Sequence, residues 1–174
     1  MSGENSALKA SVLVVMGVSG SGKTTIGVLL AGRLGWPYAE ADAFHSAANV
    51  AKMAAGHPLS DDDRWPWLRS IAAWIDERIA RGENGVVTCS ALKRSYRDLL
   101  RRPEARLVYL RGSHELIAAR IAARKDHYFK PGMLDSQFAA LEEPSADEGA
   151  LTLDVSAEPD QLVNEIIAAT RVES

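Results

Sequence analysis

The sequence is poor in cysteine, in long apolar runs and in net positive charge. Cys89 is the only cysteine among 174 residues, which excludes an intrachain disulfide and a metal site built from several cysteines. No stretch approaches the ~18 apolar residues of a membrane-spanning helix, and the N-terminus lacks the basic-then-apolar order of a signal peptide. The net charge of −3 lacks the basic excess typical of nucleic-acid binding. We therefore expect a cytoplasmic protein that binds neither a membrane nor nucleic acid.

The composition is that of an ordinary globular enzyme or binding domain. Hydrophobic residues make up 47% of the chain and charged residues 25%, and no repeat or low-complexity linker divides it. The four histidines show neither H-x-x-x-H nor H-E-x-x-H spacing, so zinc is not indicated. We expect a single domain over residues 1–174.

A glycine-rich segment carries the strongest functional signal. Residues 17–24 read GVSGSGKT and match G-x-x-x-x-G-K-[ST] completely. The apolar run 12–16 before it is short and rich in valine, as in a buried parallel strand, and residues 25–34 have helical spacing with Gly35 as a stop. Such a strand, loop and helix start direct backbone N–H groups and a helix dipole at an anion. The pattern predicts a site for a nucleoside triphosphate, the alternative being a glycine-rich turn that binds nothing.

Two side chains of this loop have expected chemical roles. Lys23 reaches the β- and γ-phosphates, and the hydroxyl of Thr24 ligates Mg²⁺. The residues expected to contact the nucleotide here are Gly17, Ser19, Gly20, Ser21, Gly22, Lys23, Thr24 and Thr25.

Strand-like and helix-like segments alternate along the rest of the chain. Further strands are expected at 36–42, 85–90, 106–110 and 151–155. Ser60 is a good helix N-cap because three aspartates follow it, and a helix is expected to run from there towards Gly82. About five strands interleaved with helices indicate an α/β fold with a parallel sheet covered on both faces.

Two acids follow the second expected strand. Alternation along a strand would place Glu40 and Asp42 on one side, at the sheet edge where ligands bind in open α/β folds. One carboxylate there is able to accept the proton of an attacking hydroxyl while the other helps to organise Mg²⁺. The alternative is a solvated pair that caps the next helix.

Two basic features are candidates for binding anionic groups. Arg64, within an aromatic cluster, suits a carboxylate, although it would also fit a surface pair with a neighbouring aspartate. Residues 120–130 concentrate cations and suit a loop that closes over ATP, although a solvated helix end would have the same composition.

Further motifs follow the loop in a distinctive order. They are Asp42 to His45 with Asn49, Lys52 and Met53; residues 58–64 with 66–68; residues 89–93 with 96–100; Arg120 and Arg124 with His127 and Phe129; and residues 136–138 with Leu141, Glu142 and Pro144. With these motifs, residues 11 to 170 resemble the bacterial-type gluconate kinases, small P-loop kinases related to shikimate and adenylate kinases.

The resemblance implies a fold and a reaction. The fold is a three-layer P-loop NTPase fold with a five-stranded parallel sheet, an acceptor-binding region near residues 40–80 and a small mobile lid near 120–135. The reaction is Mg²⁺-dependent transfer of the ATP γ-phosphate to the 6-hydroxyl of D-gluconate. Related enzymes are often dimers, so a homodimer is one possible assembly.

The resemblance also implies roles for individual residues. Asp42 is the base, and Lys23 and Arg124 complete the expected catalytic set. His45 and Arg64 lie in the sugar-acid pocket, with Lys93 and Arg97 as further contacts, and Arg120 and Arg124 belong to the lid over the phosphates.

Two alternatives to gluconate phosphorylation remain open at the level of sequence. One keeps the kinase chemistry and changes the acceptor to shikimate, a nucleoside monophosphate or another sugar acid. The other is a regulatory module that binds ATP without transferring its phosphate.

Overall fold

The computed structural model describes residues 11–57, 59–123 and 131–170. Within these residues one sheet is formed by the strands β1 Val12–Met16, β2 Tyr38–Glu40, β3 Gly85–Thr88, β4 Ala105–Arg111 and β5 Leu151–Asp154. Their order across the sheet is β2-β3-β1-β4-β5, and every neighbouring pair is parallel. The five-stranded parallel sheet expected from the sequence is confirmed.

Helices connect these strands. The described α-helices are α1 Lys23–Leu34, α2 Ala47–Ala54, α3 Asp61–Ala80, α4 Arg94–Leu100, α5 His114–Ala123, α6 Pro131–Ala140 and α7 Pro159–Thr170. Short 3₁₀ helices occupy Ala41–Phe44 and Ala146–Glu148. Among the described residues, no helix combines the length and apolar composition that crossing a bilayer requires.

Strand β1 lies at the centre of the sheet, which explains why residues 12–16 are all apolar rather than alternately apolar and polar. Val12 and Val14 pack with α3 and α4 on one face of the sheet, whereas Leu13 and Val15 pack with α1 and α7 on the other. All five β1 side chains are buried because both faces are covered. The three-layer arrangement with helices on both faces is therefore confirmed.

Helix boundaries follow the expected chemistry at two important positions. Ser60 and Asp63 form a capping box at the start of α3, in which each side chain bonds to the other's backbone N–H. Gly35 ends α1 in the left-handed conformation with φ of 68°. These ends fix where the α1 and α3 side chains stand at the sheet edge.

Other boundaries differ from the sequence predictions. The expected second strand ends at Glu40, and Asp42 lies in the following 3₁₀ helix. The helical pattern of residues 137–141 predicts a helix there, but the last α-helix before β5 starts earlier, at Pro131, since proline is well tolerated in the first turn of a helix. Residues 124–130, the middle of the expected lid, lie outside the described residues.

Candidate active site

The phosphate-binding loop wraps between β1 and α1. Gly20 and Gly22 have φ angles of 82° and 101°, which side chains other than glycine rarely adopt, and Ser21 N–H donates to Val18 O at 3.2 Å. A Cβ at Gly20 would lie 2.8 Å from Cγ1 of Ile121, so α5 presses closely on the loop. The curled backbone is the conformation in which successive N–H groups make an anion-binding concavity.

The start of α1 has the features of an anion site. Its N-cap is Gly22, which supplies no side-chain hydrogen bond, and its first turn contains no acidic residue. The first-turn N–H groups and the positive end of the helix dipole therefore suit a phosphate. Thr25 is exposed in the same turn.

The side chain of Lys23 folds back over the phosphate-binding loop. Its Nζ donates to the carbonyl oxygens of Gly17 at 2.9 Å and Val18 at 3.0 Å. The ammonium group is thus held at the loop itself, where phosphate oxygens would compete with these carbonyls for the same protons.

Thr24 and Glu40 form a pair of oxygen donors beside the loop. The Thr24 hydroxyl donates to Oε1 of Glu40, and the Tyr38 hydroxyl lies 3.4 Å from the same oxygen. A hydroxyl and a carboxylate in contact match the oxygen ligands of a hard cation, so these residues fit Mg²⁺. Glu40 reaches this position from the end of β2, next to β3 in the sheet.

Asp42 does not share a strand face with Glu40, and that sequence expectation is wrong. The 3₁₀ helix that carries Asp42 is anchored because Trp67 Nε1 donates to Ala41 O at 2.7 Å. Asp42 is exposed, whereas Glu40 is half-buried against Thr24. The two acids therefore have separate surroundings.

Lys23 and Asp42 both act electrostatically on Cys89, which directly follows β3. Burial raises the pKa of the Cys89 thiol to about 12, while the charge of Lys23 lowers that pKa and the charge of Asp42 raises it. Both charged groups are therefore within range of one buried sulfur. Cys89 itself is 1% exposed, as expected for a structural thiol.

His45 lies beside Asp42 and is held against an aromatic ring. It stacks on Trp67 with ring centroids 4.3 Å apart, and its Nδ1 is 3.4 Å from Nδ2 of Asn49. Burial lowers the pKa of His45, Asp42 opposes this change, and Arg64 adds to it. A neutral imidazole results, which suits hydrogen bonds to hydroxyl groups.

Arg64 and Lys93 flank the ring of Tyr96. Their charged groups lie 5.8 and 5.6 Å from the ring centroid, and Arg64 donates to the Tyr96 hydroxyl at 3.2 Å. Asp61 lies 3.8 Å from Arg64 and 3.4 Å from Lys93. The sequence predicted both cations here, and the structure brings them together.

Tyr96 and Asp61 organise this pair of cations, a role that sequence reasoning did not assign. Tyr96 donates its hydroxyl proton to Asp61. Burial raises the pKa of Tyr96, and the hydrogen bond to Asp61 adds to that effect. The same hydrogen bond is the main cause that lowers the pKa of Asp61. Both residues occur in the motifs above, but their contact joins α3 to α4 and has no local sequence signal.

Arg97 is placed differently from the other predicted site residues. Its side chain is 2% exposed and makes two hydrogen bonds to Glu148, at 2.6 and 3.2 Å. Its remaining terminal nitrogen donates to the carbonyl oxygens of Ala91 and Leu92. These contacts give Arg97 a structural role in the turn before Lys93, and they lend no support to a contact with substrate.

The expected lid arginines are only partly described. Arg120, on α5, donates to the carbonyl oxygen of Val155 just after β5. Arg124 lies outside the described residues, so its predicted role is unchanged by the structure.

The chain matches a known family model and several known proteins over most of its length. The shikimate kinase family model matches residues 19–171. A gluconokinase from Gluconobacter oxydans is 45% identical over 162 residues, which cover 92% of this chain and 91% of the relative.

Solved structures agree with this result. A gluconokinase from Sinorhizobium meliloti superposes with a TM-score of 0.83 at 42% identity, covering 95% of this chain and 94% of that one. An unliganded sugar kinase from a Janibacter species gives a TM-score of 0.87 at 46% identity, with 94% and 95% covered.

Proposed function

This chain belongs to the gluconokinase family of small P-loop kinases, and from that premise we propose that it phosphorylates D-gluconate at the 6-hydroxyl. ATP is the phosphate donor, and the products are 6-phospho-D-gluconate and ADP. The observation that carries the proposal is the position of Asp42. Asp42 follows the carboxyl end of β2 and the phosphate-binding loop follows the carboxyl end of β1, so both lie at the same edge of the parallel sheet.

The cations at Tyr96 suit the carboxylate of a sugar acid. Arg64 is able to bind it with two parallel hydrogen bonds, and Lys93 adds a second positive charge. Neutral His45, held in place by Trp67 and Asn49, provides a polar ring for the hydroxyl groups along the chain of the substrate. An open-chain acid held at its carboxylate would extend its far hydroxyl towards Asp42.

The transfer step then follows from the positions of Asp42 and Lys23. Asp42 accepts the proton of the 6-hydroxyl as the bond from that oxygen to the γ-phosphorus forms and the bond to the bridging oxygen of ADP breaks. Lys23 and the loop N–H groups stabilise the negative charge that develops on the phosphate oxygens. Thr24, with Glu40 beside it, would hold Mg²⁺, which when bound neutralises charge on the β- and γ-phosphates.

An acceptor panel tests this function against the other kinases of the family. ADP formation is measured with ATP and, in turn, D-gluconate, shikimate, a nucleoside monophosphate and other sugar acids. We expect gluconate to give the highest kcat/KM by a wide margin. Turnover of shikimate without turnover of gluconate would overturn the proposed acceptor, and tight ATP binding with no acceptor turned over would indicate a binding module.

Replacement of Arg64 tests the carboxylate site. Arg64→Ala removes a charge-assisted interaction with the carboxylate worth roughly 1.5–3 kcal/mol in total, so we expect the gluconate KM to rise about 10- to 100-fold while the ATP KM stays unchanged. Steady-state kinetics with each substrate varied measures both constants.

Arg69 provides the matched control for this substitution. It lies on the same helix α3, five residues after Arg64, and is exposed. Arg69→Ala should leave both KM values unchanged. A defect of Arg64→Ala confined to ATP would contradict the carboxylate role.

A further inference from the structure

Helix α6 contacts the phosphate-binding loop through one glutamine. Ser19 N–H donates to Oε1 of Gln137 at 2.7 Å, and Nε2 of Gln137 donates to Oγ of Ser19 at 2.8 Å. The carboxamide therefore uses both its acceptor and its donor on one residue of the loop. The two residues are 118 positions apart in the chain.

Apolar packing holds α6 in this place. Leu134 of α6 is buried in a small cluster with Val18 of the loop, Leu92 and Ile117. Phe138, next to Gln137, packs against the same cluster. The backbone of α6 is thus fixed close to the loop, and Gln137 has little freedom to leave Ser19.

The residues after α6 contact the acceptor side of the site. Glu142 N–H donates to Leu92 O at 2.8 Å, and Oε1 of Glu142 accepts from Arg94 N–H at 2.9 Å. Lys93 lies between these two anchored residues. One stretch of chain therefore fixes both the phosphate-binding loop and the segment that carries Lys93.

Ser19 is well placed to order the loop without taking its phosphate donors. It precedes Gly20, so its hydrogen bonds with Gln137 do not use the N–H groups of Gly20, Gly22 or Thr24. An irregular loop loses conformational freedom when it binds, at about 1–2 kcal/mol for each residue ordered. Contacts that order the loop beforehand reduce that loss and so strengthen binding.

We propose that Gln137 is a positioning residue for ATP. Through its two hydrogen bonds to Ser19, Gln137 holds the first part of the phosphate-binding loop in the conformation that binds the nucleotide. Gln137 does not touch the nucleotide in this role. The inference rests on the proposed nucleotide-binding function of the loop, and it assigns α6 a part in the affinity for ATP.

Calorimetric titration with Mg²⁺–ATP, without gluconate, tests the inference. Gln137→Ala removes two hydrogen bonds, each worth about 0.5–1.5 kcal/mol, and we expect the Kd for ATP to rise about tenfold. The KM for gluconate should stay unchanged, a split that general loss of structure would not give. Gln161→Ala is the matched control because Gln161 is an exposed glutamine on α7, and its Kd should equal that of the unaltered protein.

A second variant keeps the inference testable if Gln137→Ala folds poorly. Ser19→Ala retains the N–H bond to Gln137 and loses only the hydroxyl, so we expect a rise in Kd of about threefold. In the double variant the two effects should be less than multiplicative, because both remove the same hydrogen bond. An unchanged or tighter Kd in Gln137→Ala, or fully multiplicative effects, would overturn the inference.

The test of Gln137 is distinguishable from a test of the proposed function. Absence of ATP binding by the unaltered protein would refute the function itself. Normal ATP binding and gluconate turnover by that protein, with an equal Kd in Gln137→Ala, would refute only the role of Gln137.

Discussion

Asp42→Asn is expected to lower kcat for gluconate by about 10²- to 10⁴-fold, the range usual for loss of a general base. The amide has nearly the same shape as the carboxylate but is unable to accept the proton of the 6-hydroxyl. Binding of Mg²⁺–ATP should be preserved, because the loop and Thr24 are unaltered and Asp42 is exposed on a separate 3₁₀ helix. Stopped-assay kinetics and titration with Mg²⁺–ATP measure the two quantities.

The control for this variant is Asp160→Asn. Asp160 lies in the first turn of α7, which packs with β1 on the face opposite α3 and α4. That change should leave kcat unaltered. An Asp42→Asn enzyme with full kcat would remove Asp42 from the role of base, and a selective loss of ATP binding would assign it to the metal site instead.

Arg97→Ala is expected to reduce the free energy of unfolding by about 3–5 kcal/mol, the usual cost of leaving one member of a buried ion pair alone. Arg97 and Glu148 are each 2% exposed at the side chain, and removal of the guanidinium also leaves the carbonyl oxygens of Ala91 and Leu92 without their donors. Urea denaturation followed by circular dichroism measures the change.

Arg101→Ala serves as the comparison, since Arg101 follows α4 and its side chain is 45% exposed. We expect its effect on stability to be below about 1 kcal/mol, as for most surface pairs. If Arg97→Ala unfolded like the unaltered protein but raised the gluconate KM, Arg97 would be a substrate contact as the resemblance implied. The expected result is the reverse: Arg97→Ala is less stable, but its gluconate KM is unchanged when it is measured under conditions in which the variant is folded.

Local signals in the sequence were sufficient for much of the fold. The phosphate-binding loop, the stop at Gly35 and the cap at Ser60 depend on residues within a few positions of each other, and the structure has each of them. The buried valines of β1 likewise predicted a strand covered on both faces.

Long-range contacts explain what the sequence left out. The sheet places β3 between β2 and β1, an order that depends on packing of distant segments. The resemblance implied that Arg97 contacts the substrate, and its partner Glu148 has no local sequence signal because it is 51 positions away. The strand expected at residues 36–42 included Asp42, which instead lies in a 3₁₀ helix. The hydrogen bond from Trp67 to Ala41 O that anchors this helix joins residues 26 positions apart, so it has no local sequence signal.

The site shows the same division between local and distant information. Motifs predicted Lys23, Thr24 and Asp42 as candidate site residues, whereas the contact of Gln137 with Ser19 and the arrangement of two cations around Tyr96 required the folded chain. Such long-range contacts set where the side chains of the site lie, whereas the sequence shows only which chemical groups are present.

The most direct test of the central claim is to identify the product formed from ATP and D-gluconate by two-dimensional ¹H–³¹P NMR. The account predicts one new phosphate ester, coupled to the two protons on carbon 6, with one ADP formed for each ester. A phosphate coupled to any other carbon of gluconate, or ADP released with no ester, would contradict it.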